Sequence, residues 1–177
     1  FVLFTGMRDE AARRARWENL DAARGVLLVP RPKGGEARAF VLPLAPGVLR
    51  MLEARRADNA IRFAPEGGDH GWIFPALSVD GRVIPVAESK ERRAAAPGAP
   101  RERWLPGMHA SRRTFLSVAA EIGISELDRH VLANHAFGRQ TVNATYIAQS
   151  LEHLAGCAAR IEAALRERFG EGGALSV

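Results

Sequence analysis

The 177-residue sequence has one cysteine, one tyrosine and no long run of apolar residues. A lone Cys157 cannot form an internal disulfide or supply a cysteine cluster, which excludes a disulfide-stapled fold and indicates a reducing compartment. No stretch approaches the roughly 20 apolar residues that span a bilayer, and no cleavable signal peptide is visible. We therefore expect a cytoplasmic protein with no membrane partner.

Lysine is also scarce, occurring only at Lys33 and Lys90, yet the chain is basic. Lysine and arginine total 25 against 20 acidic residues, which gives a formal charge of +5 and a pI near 10.5. Such a balance favours an anionic partner, above all a nucleic acid, and arginine suits bidentate phosphate contacts. A high genomic GC content would produce the same arginine bias.

The hydrophobic content of 47% is sufficient for the core of one domain. In the first half, the composition predicts a helix from Arg8 to Glu18 with Thr5 as its N-cap. Two strand-like runs, "VLLV" and "ARAFVLPL", are joined by "PRPKGGE", whose glycines suit a tight hairpin with Lys33 at its tip. A helix is expected from Pro46 to Arg56, followed by a buried or edge strand at "WIFP".

The second half has weaker patterning at first and then clear helices. The pattern weakens over residues 75–106, and "AESKERRAAAPGAPRERW" within them mixes charge, alanine, proline and glycine, which predicts a loop or partial helix. An apolar stripe from Phe115 to Ile122 predicts a helix that Gly123 ends, with His109 and Arg112 at its start. A capping box at Ser125 opens a short helix to Ala133, and an amphipathic helix covers Leu151–Arg168. We expect an α+β fold, mainly α, with a small antiparallel sheet.

The sequence lacks the motifs of several other classes of enzyme. The chain has no H-E-x-x-H zinc motif, no phosphate-binding glycine loop and no G-x-S-x-G elbow. We therefore expect no metal and no cofactor. His70, His130 and His153 belong to no motif and are assigned structural roles, and Cys157 is assigned to the core as a small apolar residue.

Six residues together would suit transfer of a phosphoryl group if the fold gathered them. Two arginines can hold the non-bridging oxygens of one phosphate and stabilise the charge of a pentacoordinate phosphorane. A tyrosine hydroxyl can attack phosphorus, histidines can manage its proton, and a lysine can protonate the departing 5′ oxygen. The candidates are Arg8, Lys33, His109, Arg112, His135 and Tyr146.

The order of these residues resembles the catalytic domain of tyrosine recombinases, also called phage integrases. The matching segments are "TGMRDEAARRARWENLD", "RPKGGEARAFVLPL", "HASRRTF", "VLANHAF" and "TVNATYI". By this resemblance Arg8 is the first catalytic arginine, Lys33 the hairpin lysine and His109 with Arg112 the His-x-x-Arg pair. His135 is then the second histidine and Tyr146 the nucleophile.

The resemblance implies a helical tyrosine-recombinase-like catalytic domain over residues 1–177, acting on double-stranded DNA. Such enzymes cut one strand at a time through a 3′-phosphotyrosyl bond and need no cofactor. The resemblance further implies a mobile-element or prophage enzyme, nucleoid-associated and tetrameric on DNA when complete. Since the family's N-terminal DNA-binding domain is missing, we expect a truncated fragment that is monomeric alone. The "ANH" sequence before His135 is typical of a subset of phage and prophage integrases.

Two other functions remain open at this point. A catalytically inactive DNA-binding module could regulate integration or excision. The family often has an acidic residue three positions after the first arginine, and this chain has Ala11 there, which would fit an inactive module. A type IB topoisomerase would use the same chemistry to relax DNA without exchanging partners. Relaxation of supercoils without site preference distinguishes that enzyme from a recombinase.

Overall fold

The computed structural model describes residues 1–32, 35–36, 39–86, 108–134 and 150–169. These residues form a mainly helical α+β structure, which confirms the expected fold class at this level. The helices and strands, in chain order, are α1 Val2–Thr5, α2 Asp9–Arg13, β1 Leu20–Asp21, β2 Val26–Val29, β3 Phe40–Pro43, α3 Pro46–Arg62, β4 Pro75–Leu77, β5 Val83–Pro85, α4 Met108–Glu121, α5 Glu126–Leu132 and α6 Leu151–Phe169.

The larger sheet is antiparallel with the order β1-β2-β3, as the two apolar runs predicted for β2 and β3. Leu27 at its centre pairs with Leu20 on one side and Leu42 on the other, and it is fully buried. The neighbouring pair, Leu28 and Val41, points to the opposite face and is exposed. This period of two places one face of the sheet on the core.

The second sheet is a hairpin of β4 and β5 at the start of the segment where the sequence pattern weakens. Ser78 closes its turn by bonding to the backbone N–H and C=O of Arg82. The "WIFP" segment is buried at Ile73, but the strand itself begins only at Pro75. Residues 87–107 lie outside the described part.

The first predicted helix is much shorter in the structure. It covers only Asp9–Arg13, and Thr5 is not its N-cap, because the Thr5 hydroxyl donates to the Phe1 carbonyl at 3.0 Å. Beyond it the chain leaves the helical conformation because the carbonyl of Ala15 accepts from Ile73 N–H at 3.0 Å. A tertiary contact therefore overrides the helix propensity of this alanine- and arginine-rich stretch.

Helix α3 extends beyond the predicted end at Arg56 to Arg62. The reason is Asn59, a fully buried polar residue that donates to the carbonyls of Ile73 and Trp72 at 3.2 and 3.3 Å. Its side chain thereby ties the end of α3 to the backbone of residues 72–73. One additional turn of helix is thus fixed by contacts distant in sequence.

The three C-terminal helices form a second core, with bounds within a few residues of the prediction. Gly123 ends α4 with a φ of +75°, and the Ser125 hydroxyl accepts from Asp128 N–H at 3.1 Å to cap α5. The fully buried side chains of this layer are Phe115, Val118, Leu132, Ile161 and Leu165.

This layer contacts the first core through several residues. Phe4 of α1 packs against both cores, and Ala158 of α6 belongs to the first core. Buried Glu162 of α6 accepts from the N–H of Gly47 in the first turn of α3 at 2.9 Å. No helix in the part of the chain that the structure describes combines the length and hydropathy needed to cross a bilayer.

Candidate functional site

The site begins at a turn that only glycine can form. Gly6 ends α1 with a φ of +62°, and a side chain there would meet the Phe115 ring of α4, with a Cβ 2.5 Å from its Cδ1. Phe115 therefore packs directly on the backbone between α1 and α2. Because Arg112 lies one turn earlier on the same face of α4, its guanidinium meets the carbonyl of Gly6.

Arg112 is buried, with 5% of its surface exposed, and it donates to two main-chain carbonyls. Nη1 donates to Gly6 O, and Nη2 donates to Ala133 O at 2.7 Å. Within the described ranges no carboxylate lies at ion-pair distance from this guanidinium. Two of its five N–H groups are thus used to hold the side chain in place, and among the described residues the groups that face its charge are carbonyl dipoles.

Arg8 reaches the same place from the opposite side. Its Nη1 donates to Asn134 O at 2.7 Å, one residue beyond the carbonyl that Arg112 uses. Asn134 has a φ of +45°, in the left-handed conformation that often follows the end of a helix. The last carbonyls of α5, which have no partner within the helix, therefore position both arginines, and the negative end of its dipole favours their charge.

His109 completes the group. It lies in the first turn of α4, exposed and one helical turn before Arg112. All three residues line a cavity of about 660 Å³ between α2, α4 and the end of α5. The fold therefore brings together three of the six residues that the sequence predicted.

The other three predicted residues, Lys33, His135 and Tyr146, lie outside the described residues. Pro32 and Asn134, which directly precede Lys33 and His135 in the sequence, line the cavity. Arg113, which follows Arg112 and lies about 100° further around α4, is exposed.

The cavity is positive. Arg13 and Arg14 line it with the two arginines of the site, while Asp9 and Glu10 are the acidic residues in its wall. The carboxylates are engaged within α2: Asp9 accepts from Arg13 Nε at 3.0 Å, and Glu10 lies 3.8 Å from Arg14. Two positive charges are therefore in excess, which favours an anionic ligand.

The energetics of Arg112 agree with this charge balance. Burial, and then repulsion from Arg8, lowers the pKa of Arg112 to about 10, so it stays charged at neutral pH. Since one pKa unit corresponds to about 1.4 kcal/mol, the charged form is destabilised by roughly 3 kcal/mol relative to water. An anion between the two guanidiniums would reverse this repulsion.

A second cluster was missed by the sequence analysis. Asp128 of α5 lies beside His153 and Cys157 of α6, and one ligand atom of each lies within 4.8 Å of the others. The signal was the i,i+4 spacing of His153 and Cys157, which places both on one face of a helix. Asp128 comes from another helix, so no local motif predicts its approach to the other two residues.

No protein-family model, no curated protein and no solved structure matched this chain in the three comparisons. The resemblance to tyrosine recombinases therefore stays a prediction from the sequence motifs.

Proposed function

We propose that the protein is a tyrosine-type site-specific DNA recombinase of mobile-element or prophage origin. The observation that carries this proposal is the convergence of Arg8, His109 and Arg112 on one positive cavity. Arg8 lies 104 positions before Arg112 in the sequence, and both arginines line the cavity together with His109. The motif resemblance assigns the same three residues to one phosphate.

In the proposed reaction, Arg8 and Arg112 bind the two non-bridging oxygens of the scissile phosphate. The carbonyls of α5 hold them, so the donors are oriented before the charge develops. The Tyr146 hydroxyl attacks phosphorus and forms a tyrosyl–phosphate bond as the bond to the 5′ oxygen breaks. The tyrosine proton passes to a histidine, His109 or His135, and Lys33 gives a proton to the leaving 5′ oxygen.

The second half of the reaction reverses these steps on another strand. A free 5′-hydroxyl attacks the phosphotyrosyl bond, and Tyr146 leaves with its proton restored. No hydrolysis of a nucleotide is required because the number of phosphodiester bonds is conserved. In this proposal the protein acts as a tetramer on double-stranded DNA in the nucleoid.

The test is covalent capture of the enzyme on nicked duplexes that cover the ends of its mobile element. Loss of a short strand after cleavage removes the 5′-hydroxyl and traps the phosphotyrosyl adduct. We expect a protein–DNA band on a denaturing gel for the natural protein and none for Tyr146→Phe. Both proteins should bind the duplex with an affinity that falls steeply with salt, because phosphate contacts release counterions.

The other outcomes identify the alternatives. Salt-sensitive binding without an adduct would contradict the proposal in favour of an inactive DNA-binding module. An adduct formed on any sequence, with relaxation of supercoiled plasmid, would favour a type IB topoisomerase. An adduct that persists in Tyr146→Phe would show that another residue is the nucleophile.

A further inference from the structure

The cluster of Asp128, His153 and Cys157 is separate from the proposed DNA site, and its geometry converges on one point. The Nε2 atom of His153 lies 3.0 Å from Asp128 Oδ1 and 3.7 Å from Cys157 Sγ. Asp128 and Cys157 are each only 5% exposed, whereas His153 is at the surface. An acid, an imidazole and a thiol thus meet at a buried edge between α5 and α6.

The buried carboxylate is only half satisfied. Asp128 Oδ2 accepts from the Ser125 hydroxyl at 2.6 Å. Oδ1 is also buried, and it accepts no hydrogen bond from the described residues, although His153 Nε2 lies 3.0 Å away. A buried acceptor with no donor is unfavourable, and it faces the other two ligand atoms.

A catalytic Cys-His-Asp arrangement does not fit these contacts. In such a triad the acid bonds to one ring nitrogen and the nucleophile to the other, whereas here both Asp128 and Cys157 face Nε2. Burial, and then the charge of Asp128, raises the pKa of the Cys157 thiol against the opposing effect of Arg160. The thiol therefore stays protonated at neutral pH and is not an activated nucleophile.

The distances do fit a tetrahedral metal ion. With Zn–N near 2.0 Å and Zn–S near 2.3 Å, tetrahedral angles separate the nitrogen and sulfur ligands by about 3.6 Å, and nitrogen and oxygen ligands by about 3.3 Å. The observed separations are 3.7 and 3.0 Å. Small side-chain shifts would place one ion at bonding distance from all three atoms.

We propose that Asp128, His153 and Cys157 bind one Zn²⁺ ion, with a water molecule as the fourth ligand. His153 and Cys157 line a surface cavity of about 590 Å³ together with Ser150 and Arg160, so water can reach the cluster. Binding transfers the Cys157 thiol proton to solvent, and the thiolate, the imidazole nitrogen and Asp128 Oδ1 coordinate the ion. The ion joins α5 to the first turns of α6.

Cobalt provides the test because a Co²⁺–thiolate bond has its own near-ultraviolet absorption. Cys157 is the only cysteine in the sequence, so this band reports on this site and no other. Titration of the metal-free protein with Co²⁺ should develop the band with an end point at one equivalent, together with the visible bands of a tetrahedral ion. One equivalent of Zn²⁺ should abolish both.

Two variants and a matched control follow. Cys157→Ser should lose the thiolate band, and His153→Gln should weaken Zn²⁺ binding by more than about tenfold, since even outer-shell substitutions cost 10- to 100-fold. His70→Gln, at an exposed turn and not a member of the cluster, should change neither. Circular dichroism checks that each variant is folded. The absence of a thiolate band in the natural protein, or unchanged affinity in His153→Gln, would overturn the proposal.

Discussion

The contact between α3 and α6 makes a sharp prediction about stability. Glu162 is buried with 6% of its surface exposed, and its Oε2 accepts from Gly47 N–H at 2.9 Å while Oε1 bonds to Arg166 at 2.8 and 3.0 Å. A Cβ on Gly47 would overlap the Glu162 carboxylate. Gly47→Ala therefore cannot be accommodated unless this carboxylate moves away from the start of α3.

The size and sign of the effect depend on Glu162. In the natural protein, Gly47→Ala gains at most about 1 kcal/mol of helix propensity but breaks a charge-assisted hydrogen bond of about 2 kcal/mol and displaces a packed side chain. We expect a net loss of roughly 1–2 kcal/mol. In a Glu162→Ala background the carboxylate that obstructs a Cβ at position 47 is absent, and half-exposed Arg166 can move. Gly47→Ala should then stabilise the folded protein by up to about 1 kcal/mol.

Urea unfolding of the four proteins, followed by circular dichroism, measures this cycle. Glu162→Ala alone should destabilise by about 3 kcal/mol, because it leaves the helix start and Arg166 without their acid. Glu167→Ala, an exposed acid on the same helix, serves as the control and should change stability by less than about 0.5 kcal/mol. Additive effects, or a stabilising Gly47→Ala in the natural protein, would refute the contact.

Two further substitutions test the elements that position the site. Gly6→Ala should cost at least about 2 kcal/mol in urea unfolding, because positive φ disfavours a side chain and the Phe115 ring occupies the space. A similar loss in Ala57→Gly, at an exposed position of α3 that loses only helix propensity, would argue against that reason. Asn59→Ala should cost about 2 kcal/mol by leaving the Ile73 carbonyl without a partner, and a loss below about 0.5 kcal/mol would contradict it.

Much of the fold could be predicted from local patterns. The pairing of β2 with β3 follows from alternating apolar residues around a glycine-rich turn, and the bounds of α4 to α6 follow from apolar stripes and caps. The errors occur where distant contacts decide the structure. The first helix stops where Ala15 bonds to Ile73, and α3 extends to hold buried Asn59.

Three residues that line the cavity could be selected from the sequence, but the backbone groups that hold two of them could not. The motif spacing selected Arg8, His109 and Arg112, yet nothing local indicates that the carbonyls of Ala133 and Asn134 hold the two arginines. That arrangement depends on where the end of α5 lies against α4. For the same reason, the approach of Asp128 to α6 could not be read from the sequence.

The central claim is that Arg8 and Arg112 neutralise the charge of a scissile phosphate. It is tested most directly with two nicked duplexes, one natural and one with a methyl group in place of a non-bridging oxygen at the scissile position. The neutral phosphonate develops less negative charge in the transition state, so a guanidinium stabilises it less. Arg8→Ala is the variant of choice because Arg112 also holds the turn at Gly6.

The measurement is the rate of covalent adduct formation by the natural protein and by Arg8→Ala, with exposed Arg24→Ala as the control for charge. On the natural phosphate, Arg8→Ala should lose about 10²- to 10³-fold in rate, as expected for one donor to a developing negative charge. On the neutral phosphonate its deficit should shrink to less than about tenfold. An equal deficit on both substrates would contradict the account, because Arg8 would then act elsewhere than on the charge of the phosphate.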